Sequence, residues 1–509
     1  WAADHTVWRE DPSEISDRLG WLTIIGQMRE QTVELKAFGN EVREAGFKHV
    51  VLLGMGGSSL GPEVLRQSIG SAPAFPNLIV LDSTVPSRVQ EVRNTIDPAK
   101  TIFVVSSKSG GTVEPNTLYK YFRAQVEEAV GAEKAGEHFI AVTDPKSSLV
   151  GLADREGFRR SFENPPDIGG RYSVLSYFGL VPGALIGVDL EKLLDRASEI
   201  AASSGASMDT QRNPAAWLGA LMAATALKGR DKLTLVASPK IASFGLWVEQ
   251  LLAESTGKDG TGIIPVAGEP LLEATAYGED RVFVYLRVEG DDNATLDVAT
   301  ERLAAEGHPV ARLDLRDVYD IGAEFFRWEF ATAVAGALMD IHPFDQPNVQ
   351  AAKDATDEVL AGFRKSGQLP ERDESGTLPG LLDQAQTGDY LAVMAYAKQT
   401  DGLDGAVAEL RRRVMQDHKV ATTLGYGPRF LHSTGQLHKG GPNTGLFLQL
   451  TVSDKIDLDI PGEDFTFGTL AGAQAVGDYQ ALKAASRRVV HVDLGGDAEA
   501  GLLRLLASL

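Results

Sequence analysis

Cysteine is absent from all 509 residues. Disulfides, thiolate nucleophiles and cysteine-ligated zinc are therefore excluded, and the composition fits a reducing, cytoplasmic compartment. No apolar stretch approaches the roughly 18 residues needed to span a bilayer. The N-terminal Trp1-Ala2-Ala3-Asp4-His5 lacks the basic and apolar regions of a signal peptide. Positive charge is also scarce, with 49 Lys and Arg against 70 Asp and Glu, a net charge of −21. That balance argues against nucleic acid or an anionic membrane as a bulk partner. Any anionic ligand must then be held by local positive charge, within a Debye length of about 8 Å.

What is present is ordinary for a globular protein: 43% hydrophobic and 23% charged residues. The length calls for more than one domain. Short apolar runs alternate with helical patterns, the signature of parallel α/β sheets. Strands are expected at 49–53, 78–81, 101–105 and 139–142, and a second set at 233–237, 262–266, 281–286 and 310–313. Residues 1–45 read as a helical lead-in, and 196–230 as a helical bridge between the two units. A Gly, Pro and charge-rich stretch at 365–376 reads as a linker, after which strand-like runs return at 390–395, 446–452 and 489–492. No short-period repeat is visible.

The most informative segment is Ser106-Ser107-Lys108-Ser109-Gly110-Gly111-Thr112, between the apolar run at 101–105 and a helix expected to open at Glu114-Pro115. Pro115 suits a first turn, and Leu118, Phe122, Val126 and Val130 recur at four-residue steps. A hydroxyl- and glycine-rich turn at a helix N-terminus cradles a phosphate through backbone N–H groups, hydroxyls and the helix dipole. The spacing is not that of the nucleotide P-loop, and an ordinary polar turn is the competing reading. Gly54-Met55-Gly56-Gly57-Ser58-Ser59-Leu60-Gly61-Pro62 also follows a strand. It fails the dinucleotide fingerprint because Ser59 stands where the third glycine belongs. A sugar-binding loop and a tight structural turn remain open for it.

Other segments carry candidate chemistry, each beside a plainer reading. Arg171, after Gly169 and Gly170, would suit an oxyanion, although a surface or salt-bridged arginine is the better reading of the residue alone. Residues 244–254 read as an amphipathic helix with Trp247 and Leu251 on one side. Gln250 and Glu254 share a face of it, and Gly257 is a plausible C′ residue that ends it. Glu254 is a candidate general base or else a solvated glutamate. Asp345-Gln346-Pro347 opens a further helix with Lys353 two turns past Gln346, so both project on the same side; alone, Lys353 reads as part of a solvated helix face. His432 and His438 lie in a glycine-rich loop without metal-ligand spacing, which favours acid–base over metal chemistry, with a structural histidine the default reading for either one.

Taken together, these segments resemble the glucose-6-phosphate isomerase family over roughly residues 40–360, and the isomerase half of bifunctional transaldolase/glucose-6-phosphate isomerases in particular. The resemblance implies two sugar-isomerase (SIS) domains of flavodoxin-like, parallel-sheet α/β type with a rearranged C-terminal extension. The divisions expected are a lead-in at 1–45, a first domain at 46–195, a second at 196–360, and an extension at 361–509 completing the second. It implies substrate contacts from Gly57, Ser58, Ser107, Lys108, Ser109, Thr112, Gln250 and Gln346. Glu254 becomes the base, Arg171 the stabiliser of the enediol oxygen, and Lys353 and His432 the ring-opening pair. No cofactor and no metal are implied, and the ligand is a hexose phosphate.

A homodimer and fusion to a transaldolase are expectations of the same kind, and a fusion would account for a chain beginning without Met. In the family the histidine segment lies between the glutamate and lysine segments, whereas here His432 follows Lys353. Pro115 also replaces a hydroxyl residue of many relatives. The implied reaction is reversible interconversion of glucose 6-phosphate and fructose 6-phosphate through a cis-enediol, in glycolysis and gluconeogenesis. Alternatives are a dual phosphoglucose/phosphomannose isomerase and a non-catalytic phosphosugar-binding regulator. The regulator has no need for Glu254, Lys353 and His432 together. A transaldolase within this chain lacks both its eight-unit barrel pattern and a Schiff-base lysine.

Overall fold

The computed structural model describes residues 1–372 and 376–509; residues 373–375, inside the expected linker, lie outside the described residues. Thirteen strands among the described residues form three all-parallel sheets. β1 (His49–Leu53), β2 (Asn77–Leu81), β3 (Thr101–Ser106), β4 (Phe139–Thr143) and β5 (Arg160–Glu163) lie in the order β2-β1-β3-β4-β5. β6 (Lys232–Ala237), β7 (Ile264–Val266), β8 (Arg281–Val288) and β9 (Val310–Leu315) lie in the order β7-β6-β8-β9. β10 (Tyr390–Tyr396), β11 (Ala421–Tyr426), β12 (Gly445–Thr451) and β13 (Arg488–Asp493) lie in the order β11-β10-β12-β13.

Helices cover both faces of a parallel sheet, so its central strands are continuous apolar runs rather than alternating ones. Every residue of β3, β4, β10 and β12 is buried, which is why these strands are conspicuous in the sequence. β5 and β11 are not among the expected strands. Arg160-Ser161-Phe162-Glu163 is an edge strand with one apolar side chain, and Ala421-Thr422-Thr423-Leu424-Gly425-Tyr426 is another edge with two threonines and a glycine. The lead-in forms an α-helix only at Ile24–Glu44, and the bridge contains the Leu190–Ser203 and Pro214–Ala226 helices.

The strand order places the site. In the first sheet β1 pairs with both β2 and β3, so the chain reverses its direction of travel between β1 and β3. Loops leaving the carboxyl ends of two such strands diverge and open a crevice, the usual ligand position in open α/β sheets. Those two loops are the glycine-rich stretch at 54–59 and the hydroxyl-rich turn at 106–112. The third sheet approaches the second edge to edge. The Thr422 N–H of β11 donates to Glu269 at 2.7 Å, and Arg411 donates to the carbonyls of Ala267 and Gly268, just past β7.

Candidate active site

The turn after β3 is built by its own hydroxyls. Ser107 Oγ donates to Thr112 Oγ1 at 3.1 Å and accepts from the Gly110 N–H at 3.2 Å, while Ser109 Oγ accepts from Gly111 N–H. Gly110 takes a φ of +70°, and a methyl there would lie 2.7 Å from the Leu149 nitrogen. The turn feeds the Val113–Val130 helix, with Thr112 at its N-cap. The Lys108 ammonium is ion-paired with Asp144 and hydrogen-bonded to the Pro166 carbonyl.

The loop after β1 needs its glycines for close approach. A methyl on Gly57 would sit 2.0 Å from the carbonyl oxygen of Gly170, and one on Gly56, at φ +52°, 2.4 Å from the carbonyl of His432. This loop is therefore pressed between the arginine and histidine segments. The Ser58 carbonyl accepts from Ser106 Oγ at 3.3 Å, tying it to the hydroxyl-rich turn.

Glu254 lies near the end of the Phe244–Thr256 helix, which is buried on nearly every side rather than amphipathic as expected. The solvated-glutamate reading fails with it, because Glu254 is 7% exposed. Burial lifts its carboxyl above the ordinary value despite the opposing Arg171 guanidinium. Gly257 caps the helix with φ −79°, not left-handed. Its lack of a side chain answers packing instead, since a methyl would meet the Leu437 Cα at 2.5 Å.

Arg171 uses all five donors. Nε reaches Ser255 Oγ at 2.8 Å, and Nη1 reaches Gln346 Oε1 at 2.7 Å and Glu254 Oε2 at 3.5 Å. Nη2 reaches the carbonyls of Pro343 and Asp345 at 2.7 and 2.9 Å. Of the plain reading, the surface half fails because the guanidinium is buried, and the salt-bridged half holds in its contact with Glu254. Beside it the Lys258 ammonium donates to the Asp345 carbonyl at 2.6 Å and pairs with its carboxylate. Burial, with the nearby Arg171, pushes Lys258 down to about 7. Gln346 stands one residue outside the Pro347–Ser366 helix at φ −150°, so the two-turn alignment with Lys353 does not apply.

His432 ends the Arg429–His432 turn that follows β11. Its Nε2 meets Glu114 Oε1 at 2.8 Å. Burial opposes the imidazolium, but the Glu114 carboxylate outweighs it and holds His432 above its ordinary value. Burial likewise opposes ionised Glu114, and His432 outweighs it, leaving that carboxyl below its ordinary value. Each partner thus favours the charged form of the other. His438 is elsewhere, its ring 5.1 Å from Phe447 and buried, and burial drives it well below the ordinary imidazole range.

A cavity of about 200 Å³ joins Ser109, Thr112, Glu114, Lys353, His432 and Gln474. Gln250 links this cavity to the buried carboxylate, with its Nε2 donating to Glu254 Oε2 at 3.3 Å and to the His432 carbonyl at 2.9 Å. Ser107 and Lys108 are outside the cavity lining. Sequence reasoning misses Glu114, which looks like any acid in a helix's first turn, and finds no local signal for Gln474. Gln436 is missed too; its amide joins Gly257 to Asn348. Among the described residues no cluster of three or more His, Asp or Glu side chains is disposed to hold a metal ion.

Comparison with known proteins supplies the lineage. The family model described as phosphoglucose isomerase matches residues 23–263. A glucose-6-phosphate isomerase of Symbiobacterium thermophilum is 31% identical over 375 residues, covering 64% of this chain and 83% of that protein. A probable glucose-6-phosphate isomerase of Methanococcus maripaludis is 29% identical over 395 residues, covering 69% and 86%. Among solved structures, a hypothetical protein of Thermus thermophilus is similar with a TM-score of 0.61 at 26% identity, covering 70% of this chain and 93% of that one. A glucose-6-phosphate isomerase of Chlamydia trachomatis shares the fold with a TM-score of 0.58 at 23% identity, covering 66% and 74%. No described helix is long and apolar enough to cross a membrane. The chain belongs to the glucose-6-phosphate isomerase family.

Proposed function

We propose that this protein interconverts glucose 6-phosphate and fructose 6-phosphate by ring opening followed by proton transfer between C2 and C1. The observation that carries the reading is the Gln250 amide, which ties the Glu254 carboxylate to the His432 segment beside the hydroxyl-lined cavity. The substrate phosphate is held by the N–H groups and hydroxyls of the 106–112 turn, with Ser109 and Thr112 facing it. Gly57 and Ser58 lie along the sugar. His432 and Lys353 exchange protons with the ring oxygen and the anomeric hydroxyl.

Glu254, with a carboxyl of raised proton affinity, takes the proton from C2 and returns it at C1 through a cis-enediol. Arg171 stabilises the oxygen that becomes negative. Its contact to Glu254 is the longest of its five, so Nη1 is the donor most easily redirected to that oxygen. Gln250 and Gln346 orient the chain of the sugar. A domain division at 46–195 and 196–360, with 361–509 completing the second, belongs to the same reading and is supported by the edge contact between β11 and Glu269.

A homodimer is supported by the outward stripe of the Pro214–Ala226 helix, where Trp217 is 46% exposed in an otherwise apolar run. Light scattering tests it. A cytoplasmic location is the matching expectation. The reaction itself is tested by supplying fructose 6-phosphate and following glucose 6-phosphate through a coupled dehydrogenase. Formation at an enzymatic rate is expected, and none from folded protein overturns the proposal.

A further inference from the structure

Glu114 meets more than His432. Its Oε1 also accepts a hydrogen bond of 2.7 Å from Nε2 of Gln474, a residue of the Phe467–Ala484 helix. The other end of that amide accepts from the Thr84 hydroxyl at 2.7 Å. Thr84, Glu114 and Gln474 are all buried, and the polarity of the chain is forced. An ionised carboxylate only accepts, so the amide must turn its NH2 to Glu114. Its carbonyl is left facing Thr84, whose hydroxyl must then donate. Three distant parts of the chain meet here: the segment after β2, the helix after β3, and the C-terminal extension.

We infer that Gln474 is a positioning residue for ring opening: it fixes the Glu114 carboxylate against His432, and Thr84 in turn fixes Gln474. The inference rests on the isomerase reading above. The charged groups that face the pair are Lys353 from the Pro347–Ser366 helix and Glu254 from the Phe244–Thr256 helix. The Tyr396 phenol of β10 faces Glu114, and Asp357 lines the same cavity. In that company a neutral donor is the suitable partner for Glu114. A second cation would compete with His432 for the carboxylate, and a second carboxylate would repel it.

Gln474 acts on charge as well as position. A hydrogen bond donated to a carboxylate favours its ionised form, and ionised Glu114 in turn holds the proton on His432. Removing the amide donor lets Glu114 protonate more readily and weakens the grip on the imidazolium, and it frees the carboxylate to turn. The residue is supplied by the same extension that supplies His432, so the extension brings both the acid–base group and the side chain that orients its partner.

The test is the titration of His432 by nitrogen-15 NMR, its signal identified by its loss in His432→Asn. In Gln474→Met, similar in size but without the donor, the midpoint is expected to move to lower pH. The corresponding limb of the kcat/KM profile on fructose 6-phosphate should move with it, and kcat/KM should fall about tenfold, the scale of one hydrogen bond to a charged group. Thr84→Val should shift the titration in the same direction by less, and it decides the matter if Gln474→Met does not fold. Thr84→Ser, which keeps the hydroxyl, should titrate as the parent protein does. An unmoved or upward-moving midpoint in both folded variants overturns the inference while leaving an active isomerase intact. A parent protein without isomerase activity overturns the function instead, and the NMR shift would still stand.

Discussion

Replacing Glu254 by Gln separates proton transfer from everything else the carboxylate does. Oε2 accepts from Gln250 at 3.3 Å and from Arg171 at 3.5 Å. A glutamine can offer its own carbonyl oxygen to both donors, so the packing of the Phe244–Thr256 helix survives. Weakening two long hydrogen bonds to a charged acceptor changes stability by about 1 kcal/mol or less. Burial holds the Glu254 carboxyl above its ordinary value. The folded state therefore binds its proton more tightly than the unfolded chain does, and the group's contribution to stability declines as pH rises toward the folded value. Gln carries no such term, so Glu254→Gln should gain stability relative to the parent between acidic and neutral pH.

The chemical step behaves oppositely. A positioned general base contributes about 10² to 10⁴ in rate, or roughly 3–5 kcal/mol of barrier. The predicted phenotype is a kcat reduced by that factor with KM within a few-fold. Two assays check it: coupled detection of glucose 6-phosphate, and loss of the C2 proton from glucose 6-phosphate equilibrated in deuterated water. Both should collapse together. A folded Glu254→Gln protein keeping more than about a tenth of the parent kcat refutes the assignment, because no general base is worth so little.

His432→Asn breaks the pair with Glu114. With burial outweighed by its partner in each case, His432 contributes stability below its ordinary 6.5 and loses it as pH rises through the raised value. Glu114 contributes above its ordinary 4.5 and loses it as pH falls through the lowered value. Urea unfolding should therefore show the largest deficit between those two limits, and a deficit equal at about pH 5.5 and about pH 8.5 refutes the ion pair. Gly57→Ala forces a methyl to within 2.0 Å of the Gly170 oxygen, and moving backbone apart costs about 1–3 kcal/mol; an unchanged melting temperature would contradict that contact. Lys258→Met removes an ammonium that burial pushes down to about 7. The unfolded chain binds that proton more tightly, so the lysine's contribution to stability grows as pH rises from about 7 toward 10.5. The variant's urea curves should lose that increase, and identical pH slopes in both proteins would refute it.

The interior of each sheet is legible in the sequence because burial on both faces leaves a plain signature. β1 runs over His49–Leu53 as expected, and β3, β10 and β12 differ from expectation by a residue or so at their ends. β5 and β11 are invisible for the converse reason. An edge strand borders solvent or another element on one side, so Arg160, Glu163, Thr422 and Thr423 need not be apolar. The Phe244–Thr256 helix shows the same principle turned around. Its pattern looks one-sided, but the second side is covered by the Gly435–Gly440 segment, where Leu437 packs against Gly257. No local period reveals a cover that arrives from so far along the chain.

The candidate site divides along the same line. Loops whose geometry is local, the 106–112 turn and the glycines after β1, can be read directly, because a strand, a turn and a helix N-terminus are neighbours in sequence. Glu254 and Arg171 stand out only through the family likeness; burial overturns the solvated glutamate and the surface arginine, while the salt-bridged arginine holds. His432 poses a harder problem, since it follows Lys353 instead of preceding it. The topology answers this within one chain. β11 is an edge strand beside the end of β7, and the turn that leaves it delivers His432 to Glu114, 318 positions earlier in the sequence. The His432 carbonyl is tied to the glutamate helix through the Gln250 amide. Gln436 then joins the Gly257 end of that helix to Asn348 at the start of the lysine helix. A segment that holds the ends of both helices is a wall of the candidate site. Its position in the chain order is then free to differ, because what the proposed chemistry requires is the place of the imidazole and not the order in which the chain supplies it.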